Sequence, residues 1–340
     1  MKDRFTACLL GGAMGDALGY TVEFMDMGQI QSWFGRMGIT QLQLESKAQK
    51  ALISDDTQMT LFTLDGLLWA HERSMPYLSG LYPSYLRWLY TQTGKAAHPE
   101  VLDLQPHEKD GGILAQKALF FRRAPGTTCL SALLGGTMGT MTHPVNNSKG
   151  CGGIMRVAPV GLFLYNDPTY AFRIGAEAAA ITHGHPTGYL AAGAFAAIIA
   201  LLQNEHTLLE ACVEALRLLR RYADHEETTT AIDQALELAA GSLSAEHAIR
   251  TLGLGWTAEE ALGIALYCAI KAKSFTRGLI LAVNHDGDSD SAGAICGNLL
   301  GAAGQHELPA GWENRLELAD YITARAQELY DSRKRPSARV

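Results

Sequence analysis

Apolar residues recur at three- and four-residue steps along most of the chain. Leu190, Ala194 and Ile198 stand four apart, and Leu208, Cys212, Ala215 and Leu219 keep a similar spacing further on. That spacing brings side chains onto one side of an α-helix. Segments such as LLEACVEALRLLRRYA and TAEEALGIALYCAIKA are rich in good helix formers, and alternating runs of Val, Ile and Thr are nearly absent. The pattern predicts an all-α fold. The longest apolar run, Gly188 to Leu202, falls short of the roughly 20 residues that cross a hydrocarbon core. It is expected to be a buried helix, and no membrane partner is expected.

Glycine interrupts the pattern in a regular way. Gly11, Gly15 and Gly19 lie four apart, as do Gly293, Gly297 and Gly301, so each set lines one helical face. Such a face costs about 1 kcal/mol per residue in helix propensity against alanine. Its expected use is to let another backbone come close. Pairing of membrane helices through small residues is the alternative, and it fails because neither segment is a long apolar span. Loop-forming residues gather in Gly94 to Gly112 and in Thr137 to Gly153.

With 340 residues, 47% hydrophobic and 19% charged, there is material for a large core. The expectation is a compact single-domain orthogonal helical bundle over residues 1–331, with a polar tail from 332 to 340. The opening MKDRFTACLLGGAMGDALG reads as a helix of that fold, because Asp16 breaks its apolar stretch. A net charge of -7 argues against a nucleic-acid partner. The six cysteines show no CxxC pair, which predicts reduced thiols and a cytoplasmic setting.

Candidate chemistry is concentrated in a few segments. Ser54, Asp55, Asp56 and Thr57 stand just before an apolar-periodic run, where they could simply cap a helix. His285 to Ser291, HDGDSDS, also precedes a periodic helix, but one cap does not need three acids. Carboxylates so close repel one another unless a cation neutralises them, so a hard divalent metal is the simplest reading. Asp288 and Asp290 alternate to one side, with the Ser291 hydroxyl available beside them. An EF-hand ladder is missing, and the oxygen-rich composition favours magnesium or manganese over zinc. Glu23, closing GDALGYTVEF, reads alone as a surface glutamate. The loop NNSKGCGGIMRVAPVG serves equally as a tight packing loop or as a backbone cradle for a pyrophosphate, with Lys149 beside it. His183 and His185 open the long apolar helix, a position where histidine is more often structural.

Taken together, GGAMGDALGYTVEF, SDDTQMTL, NNSKGCGGIMRVAPVG, THGHPTGYLAAGAFAA and GDSDSAGAICGNLLGA resemble the ADP-ribosylglycohydrolase family, in the family's order and over nearly the whole chain. The family includes the dinitrogenase reductase-activating glycohydrolase and the ADP-ribosylarginine hydrolases. The resemblance implies an all-helical fold with a dinuclear metal cleft holding two Mg2+ or Mn2+ ions. By position it assigns Ser54, Asp55, Asp56, Asp288, Asp290 and Ser291 as metal ligands. It further implies Lys149, Gly150, Gly152, Gly153, Ile154 and Met155 as the diphosphate loop and His183 as a wall of the nucleotide cleft. Glu23 matches the family's glutamate beside the metals, and Asp55 or Glu23 is the expected catalytic carboxylate.

The implied substrate is an ADP-ribosylated protein, with arginine as the leading acceptor. Serine, an acetyl ester of ADP-ribose, a nucleic-acid end and a non-catalytic ADP-ribose reader are the alternatives. Two departures stand out: Asp286–Gly287 replaces the family's common Gly-Gly, placing an extra acid beside the site, and serines occupy 54 and 291 where threonine is frequent.

Overall fold

A computed structural model describes residues 1–95, 112–304 and 307–333. Among them fifteen α-helices follow one another: α1 (Lys2–Tyr20), α2 (Met27–Phe34), α3 (Asp55–Glu72), α4 (Leu78–Thr93), α5 (Thr127–Leu134), α6 (Ala158–Phe163), α7 (Pro168–Ala180), α8 (Pro186–Gln203), α9 (Leu208–Leu219), α10 (Glu226–Ala240), α11 (Ala245–Leu252), α12 (Ala258–Lys271), α13 (Phe275–Val283), α14 (Ser289–Ala303) and α15 (Ala319–Ser332). The described residues form no β-strand, only the isolated bridges Ala51–Leu316 and Gly150–Thr257. The all-α expectation is met. Most of the loop expected from Gly94 to Gly112 lies outside the described residues, as do residues 334–340 of the tail; Ser332 closes α15 and is buried.

α8 occupies the centre. It is long and apolar enough to cross a membrane by length and composition, yet 94% of it is buried inside the fold. A helix apolar on all sides needs cover on all sides, and α7, α6, α9 and α12 supply it. His185 starts it by accepting the Thr187 amide on Nδ1 at 3.1 Å, so that histidine serves as a cap.

The two glycine faces meet each other. A Cβ built on Gly15 would stand 2.0 Å from the carbonyl oxygen of Gly293, and one on Gly297 would stand 2.0 Å from that of Gly11. Gly301 faces the Ala7 carbonyl in the same way, and Gly19 faces that of Ser289. α1 and α14 therefore run antiparallel with their backbones in direct contact, and only glycine fits between them. Asn298 locks the pair by donating to the Cys8 carbonyl at 2.8 Å. The register sets the C-terminal end of α1 beside the N-terminal end of α14.

α3 is anchored to the same pair. Asp16, fully buried on α1, accepts the Ser54 amide at 3.0 Å and the Thr57 amide at 3.1 Å, and also takes the Thr57 hydroxyl. It caps a helix other than its own. Further along, Asp65 of α3 bridges Arg87 of α4 at 3.0 Å and Arg325 of α15 at 3.1 Å. These buried charges are matched, so α3 is held at its first turn and again along its length.

Gly15→Ala and Gly297→Ala should each lower the unfolding free energy by at least about 2 kcal/mol in urea denaturation, because overpacking outweighs the ~1 kcal/mol gain in helix propensity. Gly28→Ala, where the nearest atom is the end of the Asp26 side chain at 3.1 Å, should change it by less than about 0.5 kcal/mol. Equal effects at all three positions would refute the backbone-contact reading.

Candidate active site

Three helix ends converge on one cleft. The turn after α1 brings Glu23 and Phe24, the first turn of α3 brings Asp55 and Asp56, and the start of α14 brings Asp288, Asp290 and Ser291. The cleft has a volume of about 400 Å³, and its far wall is made of Gly126, Cys129, Gly150 to Gly152, Met155, His183 and Trp256. No Lys or Arg lines it among the described residues.

Local geometry explains the convergence. Asp288 is the N-cap of α14 and accepts the Ser291 amide on Oδ1 at 3.1 Å, while its Oδ2 accepts the Cys151 thiol at 2.7 Å. The residue before it, Gly287, sits at φ +134, and a Cβ there would lie 2.0 Å from the Leu254 carbonyl oxygen. Only glycine makes that turn. Ser54 is the N-cap of α3: its hydroxyl accepts the Asp56 amide at 3.2 Å, and Asp55 Oδ2 accepts the Gly126 amide at 3.2 Å. The rim is clamped from behind by Arg123, which donates to the Ile53 carbonyl at 2.9 Å and pairs through both terminal nitrogens with Glu317.

The electrostatics are one-sided. Burial, then the neighbouring acids, pushes Glu23 up to about 9 and holds Asp55, Asp56 and Asp290 well above the usual carboxylate range. Burial likewise raises Asp16 to about 6. Glu23 Oε2 and Asp56 Oδ2 are buried with no hydrogen-bond partner. Among the described residues no group of three or more His, Cys, Asp or Glu side chains is already arranged around a metal position. The donor set nevertheless fits hard divalent cations: clustered oxygens, two of them orphaned, and no positive side chain facing them.

Of the residues singled out in the sequence, Glu23, Asp55, Asp56, Asp288, Asp290, Ser291, Gly150, Gly152, Met155 and His183 line the cleft. Ser54, Lys149, Gly153 and Ile154 do not. The Ser54 hydroxyl caps α3 with one of its two lone pairs, Gly153 packs on Ala179 and His183, and Ile154 is fully buried. Lys149 donates to Glu259 at 2.6 Å and Glu227 at 2.8 Å, pinning the glycine loop to α12 and α10. Asp286 accepts the Met27 amide at 2.6 Å and so fastens α2, away from the cleft lining.

The ADP-ribosylglycohydrolase family model matches residues 1–339. The chain belongs to the ADP-ribosylglycohydrolase family. It is 28% identical to the ADP-ribosyl-dinitrogen reductase glycohydrolase of Rhodospirillum rubrum, over 94% of this chain and 92% of that one. An uncharacterized protein of Archaeoglobus fulgidus is 26% identical over 97% of each chain. An ADP-ribosylarginine hydrolase of Pseudomonas putida is 24% identical over 97% of this chain and 78% of its own length. A solved ADP-ribosylglycohydrolase-related protein complex shares the fold, with a TM-score of 0.64 at 24% identity over 98% of both chains. The protein is accordingly a hydrolase of ADP-ribose linkages.

Several cleft features of this family member escaped the sequence reading. Asp16 showed only as a lone acid in an apolar helix, and its partners at 54 and 57 become visible only in three dimensions. Phe24 and Trp256 stack at the mouth, with centroids 6.1 Å apart and planes 20° from parallel. Neither belongs to a periodic pattern. Cys151, inside the glycine loop, is the one half-buried cysteine; the other five are buried, and all six are free.

Without bound cations, Glu23 keeps its proton in the folded chain up to about pH 9 and releases it near 4.5 when unfolded. Unfolding between those values releases protons, so stability falls as pH rises. In EDTA, the thermal midpoint should decline from about pH 6 to pH 9, and Glu23→Gln should flatten that slope. A slope that Glu23→Gln leaves unchanged would count against the raised carboxyl.

Proposed function

We propose that this hydrolase removes ADP-ribose from a protein side chain, with arginine as the preferred acceptor and two Mg2+ or Mn2+ ions as cofactors. The observation that carries the reading is the meeting of five acidic side chains, two with orphaned oxygens, beside a glycine-walled recess. Asp55, Asp56, Asp288, Asp290 and Ser291 would hold the ions, and the Ser54 hydroxyl, which uses one lone pair in capping, would offer them its second. Bound there, the ions supply Lewis-acid polarisation of the vicinal ribose hydroxyls.

The chain's own groups do the rest. Gly150 and Gly152, lacking side chains, leave room for a diphosphate to approach the backbone. With bound ions favouring the ionised carboxylates, Glu23, with a free Oε2, or Asp55 takes the proton of the attacking water. The water oxygen bonds to the anomeric carbon as the bond from that carbon to the arginine nitrogen breaks, through an oxocarbenium-like transition state, and the carboxyl returns the water's proton to the departing guanidine. Phe24 and Trp256 offer flat faces at the mouth, suited to a planar cation. The arginine preference also draws on the relative from Pseudomonas putida, named for that linkage. Six free thiols fit a reducing compartment, the cytoplasm.

The test is release of free ADP-ribose from proteins modified on arginine or on serine, with magnesium, manganese or EDTA. Release from the arginine substrate should need a divalent ion and fall at least ~100-fold in Asp288→Ala. Faster release from serine would reassign the acceptor, and binding of ADP-ribose without release would make the protein a reader.

A further inference from the structure

Behind the cleft wall lies a chain of polar groups that the proposed reaction does not use. Arg156 is fully buried, its guanidinium stacked 4.2 Å from the Tyr85 ring centre. Its Nη2 donates to the Ala178 carbonyl at 3.0 Å and to the Thr182 hydroxyl oxygen at 2.8 Å. That hydroxyl lies 2.9 Å from Nδ1 of His183. On its other edge the His183 ring borders the loop of the cleft: a Cβ on Gly152 would lie 3.3 Å from Nε2, and one on Gly150 3.5 Å.

The donor count sets the direction of these bonds. A guanidinium can only donate, so the Thr182 oxygen accepts from Arg156 and keeps one hydrogen to give. The nitrogen lone pair of an imidazole is a far better acceptor than the Cys129 sulfur nearby, and the cation behind the hydroxyl strengthens its donation. A hydrogen on Nδ1 would instead make the Thr182 oxygen accept twice and leave its own hydrogen the weaker Cys129 sulfur. Burial and the Arg156 charge also drive the His183 pKa down to about 3, so the ring stays neutral.

We propose that Arg156 and Thr182 are positioning residues that fix His183 as the neutral Nε2–H tautomer, a constant hydrogen-bond donor to an anionic oxygen of the cleft ligand. The role of that ligand rests on the cleft being the ADP-ribose site; the tautomer does not.

The test is nuclear magnetic resonance of 15N-histidine-labelled protein, with His183→Gln identifying the signal, alongside calorimetry of ADP-ribose binding. The expected wild-type result is a protonated Nε2 and a bare Nδ1, unchanged between about pH 5 and pH 8, where free imidazole titrates. Thr182→Val should mix the tautomers and weaken ADP-ribose binding about tenfold, and Thr182→Ser should restore both. A wild-type proton on Nδ1 overturns the proposal whether or not the variants fold, as does Thr182→Val with tautomer and affinity both unchanged. The expected tautomer in a protein that does not bind ADP-ribose would support the relay and sink the functional reading instead.

Discussion

The direct contact of the α1 and α14 backbones is the constraint from which the cleft follows. Helices bearing ordinary side chains pack with axes about 8–10 Å apart; a seam with glycine on both faces lets them close further. At that distance the register cannot slide, because the carbonyl of one helix fills the space where a Cβ of the other would stand. Glu23 and Asp288 are therefore delivered to the same place by main-chain geometry. Asp16, projecting from the glycine-faced helix itself, then fixes the first turn of α3 against that seam. Each acid of the cleft is thus attached to a helix end whose position has little freedom.

Rigid placement is needed because the acids disfavour one another. Buried carboxylates without counter-charge either take up protons or push apart, and here Glu23, Asp55, Asp56 and Asp290 are all driven toward the protonated form. Matched pairs placed outside the cleft hold the frame around them: Arg123 with Glu317, Lys149 with Glu259, and Asp65 between Arg87 and Arg325. Stability is drawn from the surroundings, and the cleft is left with unbalanced negative charge.

What was legible in the sequence shares one property, a regular relation between neighbours in the chain. Helical class follows from three- and four-residue spacing, the close seam from two glycine ladders, and the acid clusters from having more carboxylates than a cap can use. The illegible part depends on which elements become neighbours in space. Lys149 in a glycine loop has the composition of a phosphate ligand, yet α10 and α12 present it with two glutamates. Asp286 looks like one more acid of the site until α2 presents the Met27 amide. Asp16, Phe24 and Trp256 carry no periodic mark at all, and the fold alone gives them a place.

The seam also dictates when the site can exist. Its two halves stand far apart in the sequence, with Ala7 to Gly19 on one side and Ser289 to Gly301 on the other, and the rim clamp reaches Glu317. Contacts this distant in sequence form late in folding, because the loop between them must close first. On a ribosome α1 emerges long before its partner, with a glycine face that nothing covers. A chain cut short before α14 lacks both the second half of the seam and Asp288, Asp290 and Ser291. Assembly of the cleft is in this way tied to closure of the seam, and neither is complete before α14 has been made.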